Sequence, residues 1–293
     1  MSDEDPQILV RTLPFLVAPI EAAPFPGGGS AKAFKVRDAN GLYLVRIGRA
    51  LGLGPPSRRR EEAAHRAAHA AGLAPRVVYA ADDVLACDFI EGRALTAAEL
   101  GRRIETLAMI LRRCHLHVGR RLRGEAAAAW VFHALRNLAH ELEAANHPLS
   151  GKGPRLRSIV ETLEEAQAPM RMIFGHGDLT PDNFIDDGER VWLIDWERGG
   201  FGVAVFDLAN LSANAAFSDG DDKCLLETYF GTSPSVDVQR SFAAMKVASA
   251  MRDALEAATA ELRPLKHAPD GASDASRKTR RFEALYTAFR DRF

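Results

Sequence analysis

The chain has 293 residues, 47% of them hydrophobic, and a formal net charge of −1 at pH 7. This length suits one large domain or two modest ones around a shared cleft, and the hydrophobic share is typical of a globular protein. A net charge near zero gives no overall attraction to nucleic acid or acidic lipid, so we expect neither as a partner. The basic run Arg58–Arg60 is expected to form a solvated helix face.

The first ninety residues are expected to form short strands and one helix. Asn40-Gly41 lies between two short apolar runs and favours a hairpin. Ser57 is a suitable N-cap for a helix over Arg58–Ala71, which would end at Gly72. Two further apolar runs, 76–81 and 84–90, complete a small mixed sheet.

Helical patterns dominate the rest of the chain. Thr96 and Glu99 form a capping-box pattern that opens one long helix to about Arg123. Helical periodicity resumes over 125–146 and again over 156–168. A short β-rich segment, Arg171–Asp195, interrupts it before the chain becomes helical again.

The residues with the clearest chemical meaning lie in that β-rich segment. A polar loop, His176–Asn183, is followed by a predicted hairpin that ends at Asp195. The hairpin should fold Asp195 back towards the loop that carries Asp178 and Asn183. Three oxygen-bearing side chains are therefore expected to converge.

This convergence suits phosphoryl transfer, which needs a carboxylate to accept a hydroxyl proton and hard oxygen ligands for Mg²⁺. A surface loop whose Asp and Asn residues only form turns is the structural alternative. A metallohydrolase would use His176 and Asp178 as ligands, but no second histidine cluster lies nearby in the sequence.

The segment resembles the choline/ethanolamine kinase and aminoglycoside phosphotransferase families, which share a protein-kinase-like fold. The family motif His-x-Asp-x-x-x-x-Asn is matched by His176, Asp178 and Asn183, and the later Ile-Asp-Trp-Glu by 194–197. The resemblance implies that Asp178 is the catalytic base and that Asn183 and Asp195 bind Mg²⁺. Asp207 would brace the catalytic loop, and His176 would orient it without touching substrate.

The same resemblance implies an α+β fold of two lobes. Residues 1–90 would be a small nucleotide-binding β-sheet lobe with one helix. Residues 91–293 would be a larger, mostly helical lobe for catalysis and substrate binding. ATP and Mg²⁺ are the expected cofactors.

Candidate nucleotide contacts lie in the first lobe. A glycine-rich segment containing Gly28, Gly29 and Ser30 would let backbone N–H groups approach phosphate closely. Arg46 occupies the strand where the family carries a cation for the ATP phosphates. Glu61 lies on the apolar face of the predicted helix and would pair with Arg46, whereas its neighbour Glu62 would pair with Arg66 in solvent.

The connector between the lobes, from Asp88 to Gly92, resembles the hinge whose backbone binds adenine, so Asp88 and Ile90 are further candidates. The acceptor is expected to be a small-molecule alcohol. Glu197 and Glu256 could neutralise an amine on it, whereas the sequence has Arg198 where related choline kinases often have a tyrosine. A small amino alcohol such as ethanolamine or choline is therefore expected, with the aromatic cage for a quaternary ammonium incomplete.

Two alternatives remain open. One is an aminoglycoside-type antibiotic phosphotransferase, which uses the same chemistry in an acidic cleft. The other is a nucleotide-binding pseudokinase that serves as a scaffold, against which the intact Asp178, Asn183 and Asp195 argue.

Three widely spaced cysteines show neither a metal-binding spacing nor a disulfide framework, which favours a reducing compartment. Residues 1–6 lack the features of a signal peptide, and no uncharged apolar run approaches the roughly 20 residues of a membrane span. A cytoplasmic protein without membrane association is expected. The sequence gives no indication of the oligomeric state.

Overall fold

The structure is a computed structural model that describes residues 6–26, 32–48, 57–262 and 271–293. Its helices are α1 (Pro6–Arg11), α2 (Arg58–Ala70), α3 (Ala97–Gly101), α4 (Ile104–Arg121), α5 (Val131–Ala144), α6 (Gly153–Glu165), α7 (Ala204–Ala215), α8 (Asp219–Phe230), α9 (Val236–Glu261) and α10 (Gly271–Arg292). Its strands are β1 (Glu21–Phe25), β2 (Lys32–Arg37), β3 (Leu42–Ile47), β4 (Val77–Ala81), β5 (Val84–Asp88), β6 (Arg93–Ala94), β7 (Ala127–Ala128), β8 (Met172–Gly175), β9 (Phe184–Asp186), β10 (Val191–Leu193) and β11 (Gly200–Val203).

The chain forms two compact units, each built from several segments. The first unit comprises Met1–Thr96, Arg112–Ala129 and Phe174–Phe201. The second comprises Ala97–Leu111, Trp130–Ile173 and Gly202–Phe293. The lobe boundary between residues 90 and 91 stays a prediction.

A five-stranded antiparallel sheet in the order β1-β2-β3-β5-β4 forms the framework of the first unit. Strand β3 alternates between half-buried and buried residues, so that Tyr43, Val45 and Ile47 lie on one face and Arg46 on the other. The buried face belongs to an apolar cluster with Phe34 and other side chains from the neighbouring strands. Burial of this face fixes the register of β3, because a slip of one residue would move Arg46 into the apolar core.

The β2–β3 hairpin forms where the Asn40-Gly41 pair predicts it, but by a different turn. The Asp38 side chain accepts hydrogen bonds from the backbone N–H groups of Asn40 and Gly41, at 2.7 and 2.9 Å. Neither Asn40 nor Gly41 has a positive φ. The carboxylate of Asp38 therefore stabilises the turn, and the left-handed conformations that the Asn-Gly pair permits are not used.

Helix α2 begins and ends as its sequence predicts. Ser57 has extended backbone angles, and its hydroxyl accepts a hydrogen bond from the N–H of Arg60. At the other end, Gly72 has φ +73° and donates its N–H to the carbonyl of His69. The two caps fix the limits of the helix that carries Glu61.

Two predictions about the helices that follow are wrong. The single helix predicted from Thr96 to about Arg123 is divided into α3 and α4, with a turn in which the N–H of Arg103 bonds the carbonyl of Leu100. The helix predicted from residue 125 begins only at Val131, because residues 127–128 form β7 and pair with β11. An alanine-rich segment has high helix propensity, and here the strand partner overrides it.

The β-rich segment folds as the predicted hairpin. Strands β9 and β10 pair with Phe184 opposite Leu193, and the backbone N–H groups of Gly188, Glu189 and Arg190 bond the carboxylates of Asp186 and Asp187 in the turn. Strand β6 adds to the other edge of β9. The hairpin directs the chain from Leu193 straight to Asp195.

Helix α9 is the centre of the second unit and packs against α5, α6, α7 and α10. Its buried side chains are mostly small or apolar, and a buried hydrogen bond of 2.8 Å joins Ser249 to Asn210 of α7. None of the helices in the described part of the chain is both long and apolar enough to cross a membrane.

Candidate active site

His176 is completely buried in the turn that follows β8. Its Nδ1 accepts a hydrogen bond from the backbone N–H of Asp178 at 3.2 Å, and its Nε2 lies 2.8 Å from the carbonyl oxygen of Ile194. Because Nδ1 is an acceptor, Nε2 carries the hydrogen and donates it to Ile194. The ring also packs edge-on against Trp196 with centroids 4.7 Å apart. His176 therefore ties the turn bearing Asp178 to the end of the hairpin.

Asn183 makes the second connection between the turn and the hairpin. Its side-chain Nδ2 donates to the carbonyl oxygen of Asp178 at 2.7 Å, and its own carbonyl accepts from the N–H of Ile194 at 3.0 Å. The residue is buried within a single 3₁₀ turn that begins at Pro181. The structure therefore brings Asp178, Asn183 and the backbone beside Asp195 together through direct hydrogen bonds.

Asp195 adopts an uncommon backbone conformation at the end of the hairpin. Its φ and ψ are 65° and 68°, in the left-handed region. A non-glycine residue held there costs roughly 1–3 kcal/mol, and such residues cluster at active sites. The side chain is 29% exposed, and its Oδ1 lies 2.9 Å from Arg46 Nη1. The conformation turns the carboxylate of Asp195 towards Arg46 of the sheet.

Arg46 is the centre of a group of carboxylates in the first unit. Its Nη1 lies 2.8 Å from Glu61 Oε1 and 2.9 Å from Asp195 Oδ1, and its Nη2 lies 3.6 Å from Glu197 Oε2. Burial lowers the pKa of Arg46, but the attraction of Asp195, Glu61 and Glu197 outweighs it and raises the pKa above its usual value. The guanidinium is therefore a permanent positive charge beside Asp195.

Glu61 is completely buried and is shared by two arginines. Besides Arg46, it bonds Arg58 Nη1, and Arg58 also donates to the carbonyl of Gly48. The prediction that Arg58 belongs to a solvated helix face is wrong, because Arg58 is only 5% exposed. Its spacing of three residues from Glu61, on the same helix face, is the sequence feature that could have indicated the pair. Glu62, in contrast, forms the predicted pair with Arg66 at 2.8 Å.

Glu197 belongs to the Arg46 group in this structure. Burial raises the pKa of Glu197 to about 7, the negative charge of Asp195 adds to the effect, and Arg46 opposes it. Its part in binding an amine on the acceptor stays a proposal. Its position next to Arg46 shows that Glu197 also helps to balance the positive charge of Arg46.

Arg198 contacts Asp178, a pairing that sequence reasoning missed. Its Nε lies 3.5 Å from Asp178 Oδ2, and its side chain is 16% exposed. The backbone beneath it is fixed, because the carbonyl of Arg198 lies against Gly177, where an added Cβ would meet the carbonyl oxygen at 2.6 Å. In the sequence, Arg198 is notable only because related choline kinases often have a tyrosine at the same position.

The side chains present suit a Mg²⁺ ion bound together with nucleotide phosphates. In the described part of the chain, no three or more His, Cys, Asp or Glu side chains are grouped to hold a metal. Mg²⁺ in such sites uses one or two protein carboxylates together with phosphate and water. Asn183 commits its Nδ2 to Asp178, so its Oδ1 is the amide atom suited to a metal, and Asp195 supplies a carboxylate.

The other predicted contacts have less structural support. Gly28, Gly29 and Ser30 lie outside the described residues. In the connector, the N–H of Asp88 donates to the carbonyl of Arg76, and the Asp88 carboxylate pairs with the Arg76 side chain at 3.1 Å. These groups of Asp88 are already engaged, and the carbonyl of Ile90 accepts from the N–H of Gly92 at 3.0 Å. The carbonyl of Asp88 and the N–H of Ile90 are therefore the better candidates for adenine.

Two predicted residues belong to the second unit. Asp207 is in the first turn of α7 and is 2% exposed. Glu256 is half-buried on α9. Their roles, as a brace for the catalytic loop and as an amine ligand, stay proposals.

Comparison with known proteins identifies a family that covers most of the chain and a curated relative that covers part of it. The model of a phosphotransferase enzyme family matches residues 21–265. Protein LicA of Haemophilus influenzae is 29% identical over 89 residues, which are 30% of this chain and 33% of LicA. The match therefore spans about a third of the length of this curated relative.

Two solved structures resemble the chain over nearly its full length. One is a choline/ethanolamine kinase family protein from Mesorhizobium loti, with 21% identity, a TM-score of 0.72, and coverage of 96% of this chain and 93% of that chain. The other is LicA in complex with AMP, with 20% identity and a TM-score of 0.72. The alignment covers 97% of this chain and 100% of that chain. Similarity at this identity shows the fold, and it confirms the predicted α+β protein-kinase-like class with a sheet lobe and a helical lobe.

Proposed function

We propose, from the premise that the chain belongs to the phosphotransferase enzyme family, that it transfers the γ-phosphate of ATP to the hydroxyl of a small amino alcohol such as ethanolamine or choline. One observation carries the proposal. Asp178, Asn183 and the hairpin end at Asp195 are joined by direct hydrogen bonds, with Arg46 paired to Asp195. A carboxylate, an amide and a second carboxylate beside a fixed cation are the parts that phosphoryl transfer requires.

Asp178 is the base in this proposal. The acceptor hydroxyl gives its proton to the Asp178 carboxylate as its oxygen bonds to the γ-phosphorus, while the bond from that phosphorus to the ADP oxygen breaks. His176 and Asn183 hold the backbone of Asp178 from two sides, so its carboxylate keeps one position. Such positioning matters because small displacements of reacting groups lower the rate steeply.

Asn183 Oδ1 and Asp195 would hold Mg²⁺, which when bound neutralises the charge of the transferring phosphate. Arg46 would contact the ATP phosphates, and Glu61 would hold Arg46 in place through their 2.8 Å ion pair. The LicA structure that contains AMP supports the choice of an adenine nucleotide. Gly28, Gly29 and Ser30 would cover the phosphates, and the Asp88–Ile90 backbone would bind the base.

Support for an amino alcohol comes from the relatives. The Mesorhizobium loti structure is that of a choline/ethanolamine kinase family protein. Glu256 and Glu197 remain the candidate amine ligands. A panel that includes an aminoglycoside would test the antibiotic phosphotransferase alternative in the same assay.

The test is Asp178→Asn, measured as ADP release with Mg·ATP and each acceptor. Loss of the base should lower turnover on the order of 10²- to 10⁴-fold. The variant should still bind Mg·ADP, because Asp178 is not one of the proposed metal ligands. Asp182→Asn is the matched control, since it makes the same charge change at an exposed position of the same loop and should leave turnover unchanged.

Two results would contradict the proposal. If the Asp178→Asn variant turned over as fast as the wild type, Asp178 would be excluded as the base. A wild-type protein that binds Mg·ADP but consumes no ATP with any alcohol would favour the nucleotide-binding scaffold instead.

A further inference from the structure

The second half of α4 and the segment after it carry a strong local positive charge. Residues 112–128 contain five arginines and one glutamate, so their charge is +4 with histidine neutral, whereas the whole chain has −1. The absence of attraction to acidic lipid is expected from the charge of the whole chain, and this segment departs from that average. The five arginines are all exposed: Arg112, Arg113, Arg120, Arg121 and Arg123.

The positive charge of this segment is not neutralised within the protein. Among the residues that the structure describes, no carboxylate pairs with any of the five arginines. Arg121 and Arg123 donate to backbone carbonyls, at 2.7 to 3.3 Å. Glu125, the one acidic residue of the segment, accepts a hydrogen bond from the Ser57 hydroxyl instead. A carbonyl carries no net charge, so the field of the five guanidinium groups extends into the solvent.

Three of these arginines share one face of α4 with an apolar side chain. At 3.6 residues per turn, Arg112, Arg113, Leu116 and Arg120 lie within an arc of about 100° around the helix axis. Leu116 is 45% exposed, whereas Val118 on the opposite side of the helix is completely buried. The helix therefore presents an exposed leucine surrounded by cations, and we call these four residues the arginine face of α4.

We propose that the arginine face of α4, with Arg121 and Arg123 beside it, binds an acidic lipid surface. Clusters of roughly four to eight basic residues on a helix are attracted to anionic headgroups. An exposed leucine among them can enter the boundary between headgroups and acyl chains, where its burial adds to the attraction. The proposal does not depend on the proposed enzymatic function.

Other anionic or apolar partners fit this face less well. Residues 112–128 contain no Trp, Tyr or Phe, the side chains on which the bases of single-stranded nucleic acid usually stack. A second copy of the chain cannot pack the same face against it, because the like charges would repel one another.

Co-sedimentation of the full-length protein with lipid vesicles tests the proposal. We expect binding to vesicles of phosphatidylcholine that contain roughly one third phosphatidylglycerol, and no binding to vesicles of phosphatidylcholine alone. An increase in NaCl from about 0.1 to 0.5 M should weaken the binding on the order of tenfold, because salt screens exposed charges.

A triple variant locates the binding surface. Replacement of the three cations of the arginine face should weaken binding to the acidic vesicles on the order of 10²-fold, because each cation near the surface contributes about fivefold. The substitutions are Arg112→Gln, Arg113→Gln and Arg120→Gln. The matched control removes three exposed arginines from α10 and should bind as the wild type does; its substitutions are Arg280→Gln, Arg290→Gln and Arg292→Gln.

Leu116→Gln separates the apolar contribution from the charge. This variant should bind acidic vesicles several-fold more weakly than the wild type and keep the same dependence on salt. Circular dichroism spectra show whether each variant is folded, and the vesicle comparison with the wild type requires no variant.

Three results would overturn the proposal. The first is a wild-type protein that does not distinguish acidic from neutral vesicles. The second is an equal loss of binding in the two triple variants, which would show that total charge matters and the arginine face does not. The third is tighter binding to duplex DNA or RNA than to acidic vesicles at the same salt concentration, measured by fluorescence anisotropy and lost in the α4 variant.

Discussion

At the residue scale, Gly177 shows how closely the proposed catalytic turn is packed. Its φ is +79°, a conformation that costs other residues free energy. An added Cβ would meet the carbonyl oxygen of Arg198 at 2.6 Å. The residue between His176 and Asp178 must therefore be small for both backbone and packing reasons.

Gly177→Ala is expected to lower kcat on the order of 10²-fold, because the turn must move away from Arg198 and carry Asp178 with it. The measurement is steady-state turnover together with the circular dichroism spectrum. Gly188→Ala is the control, since Gly188 also has a positive φ, of 91°, but an added Cβ there meets no atom within 4 Å. Equal activity of the two alanine variants would show that the contact with Arg198 does not position the base.

Sequence reasoning missed the contacts of two arginines, one with a near neighbour in the chain and one with a residue twenty positions away. Arg58 is in a run of three arginines, and only its helix face distinguishes it as the partner of Glu61. Arg198 lies twenty residues after Asp178, and a 3₁₀ turn with a fully buried tryptophan brings its side chain to the carboxylate. A pattern of residue types does not encode such a contact, because the contact depends on how two turns pack.

At the element scale, α2 connects a local capping signal to the proposed nucleotide site. Ser57 caps the helix, and the Ser57 hydroxyl also donates to Glu125 at 3.1 Å. One turn later, Glu61 reaches Arg46 of β3. The start of the helix thus sets the position of a carboxylate that holds the proposed phosphate ligand.

Ser57→Ala is expected to lower the free energy of unfolding by about 1 kcal/mol and to raise KM for ATP a few-fold. The first effect follows from the lost N-cap, and the second from a less ordered Glu61. Ser235→Ala is the matched control, because Ser235 caps α9 by the same kind of hydrogen bond, to Val238. Urea denaturation and ATP kinetics of both variants provide the measurement. If Ser57→Ala lost stability as expected but kept the wild-type KM for ATP, the N-cap would not contribute to nucleotide binding.

Elements whose caps and apolar periodicity agree were predicted well, and α2 and the β9–β10 hairpin are examples. The strand β7 was not, because residues 125–130 are mostly alanine and carry no β-specific pattern. Those residues become a strand through pairing with β11, which lies over seventy residues later in the chain. Secondary structure that exists only through a distant partner leaves little trace in its own segment.

At the scale of the whole molecule, His65 links folding stability to pH. The ring is buried on α2, and its Nε2 lies 3.0 Å from the carbonyl oxygen of Pro75. Burial lowers the pKa of His65 to about 4, whereas the hydrogen bond to Pro75 opposes this shift. In the unfolded chain the ring titrates near 6.5.

Between pH 6.5 and 4 the unfolded chain therefore binds more protons at His65 than the folded chain does. The stabilisation from the neutral, buried ring is fully present above this window and is lost as the pH falls through it. The loss lowers the free energy of unfolding by on the order of 3 kcal/mol. His65→Gln should be less stable than the wild type at pH 7, and the difference should narrow towards pH 4. Urea denaturation of both proteins across this pH range measures the difference in free energy of unfolding. His140→Gln, at an exposed histidine, is the control. If the difference in free energy of unfolding between wild type and His65→Gln did not change with pH, the lowered pKa of His65 would be contradicted.

The sequence by itself determined most of the elements and indicated the chemistry that we propose for this protein. The caps of α2 and the alternation of β3 are local, because each depends on residues within one turn or one strand. Asp178, Asn183 and Asp195 likewise lie within one loop and the hairpin that follows it. The tertiary structure alone decided the charge contacts beyond the predicted Arg46–Glu61 and Glu62–Arg66 pairs. Glu61 is shared by two arginines, Glu197 approaches Arg46, and Arg198 lies against Asp178. Ion pairing in a buried site depends on distances of a few ångströms between distant segments, and only packing fixes those distances.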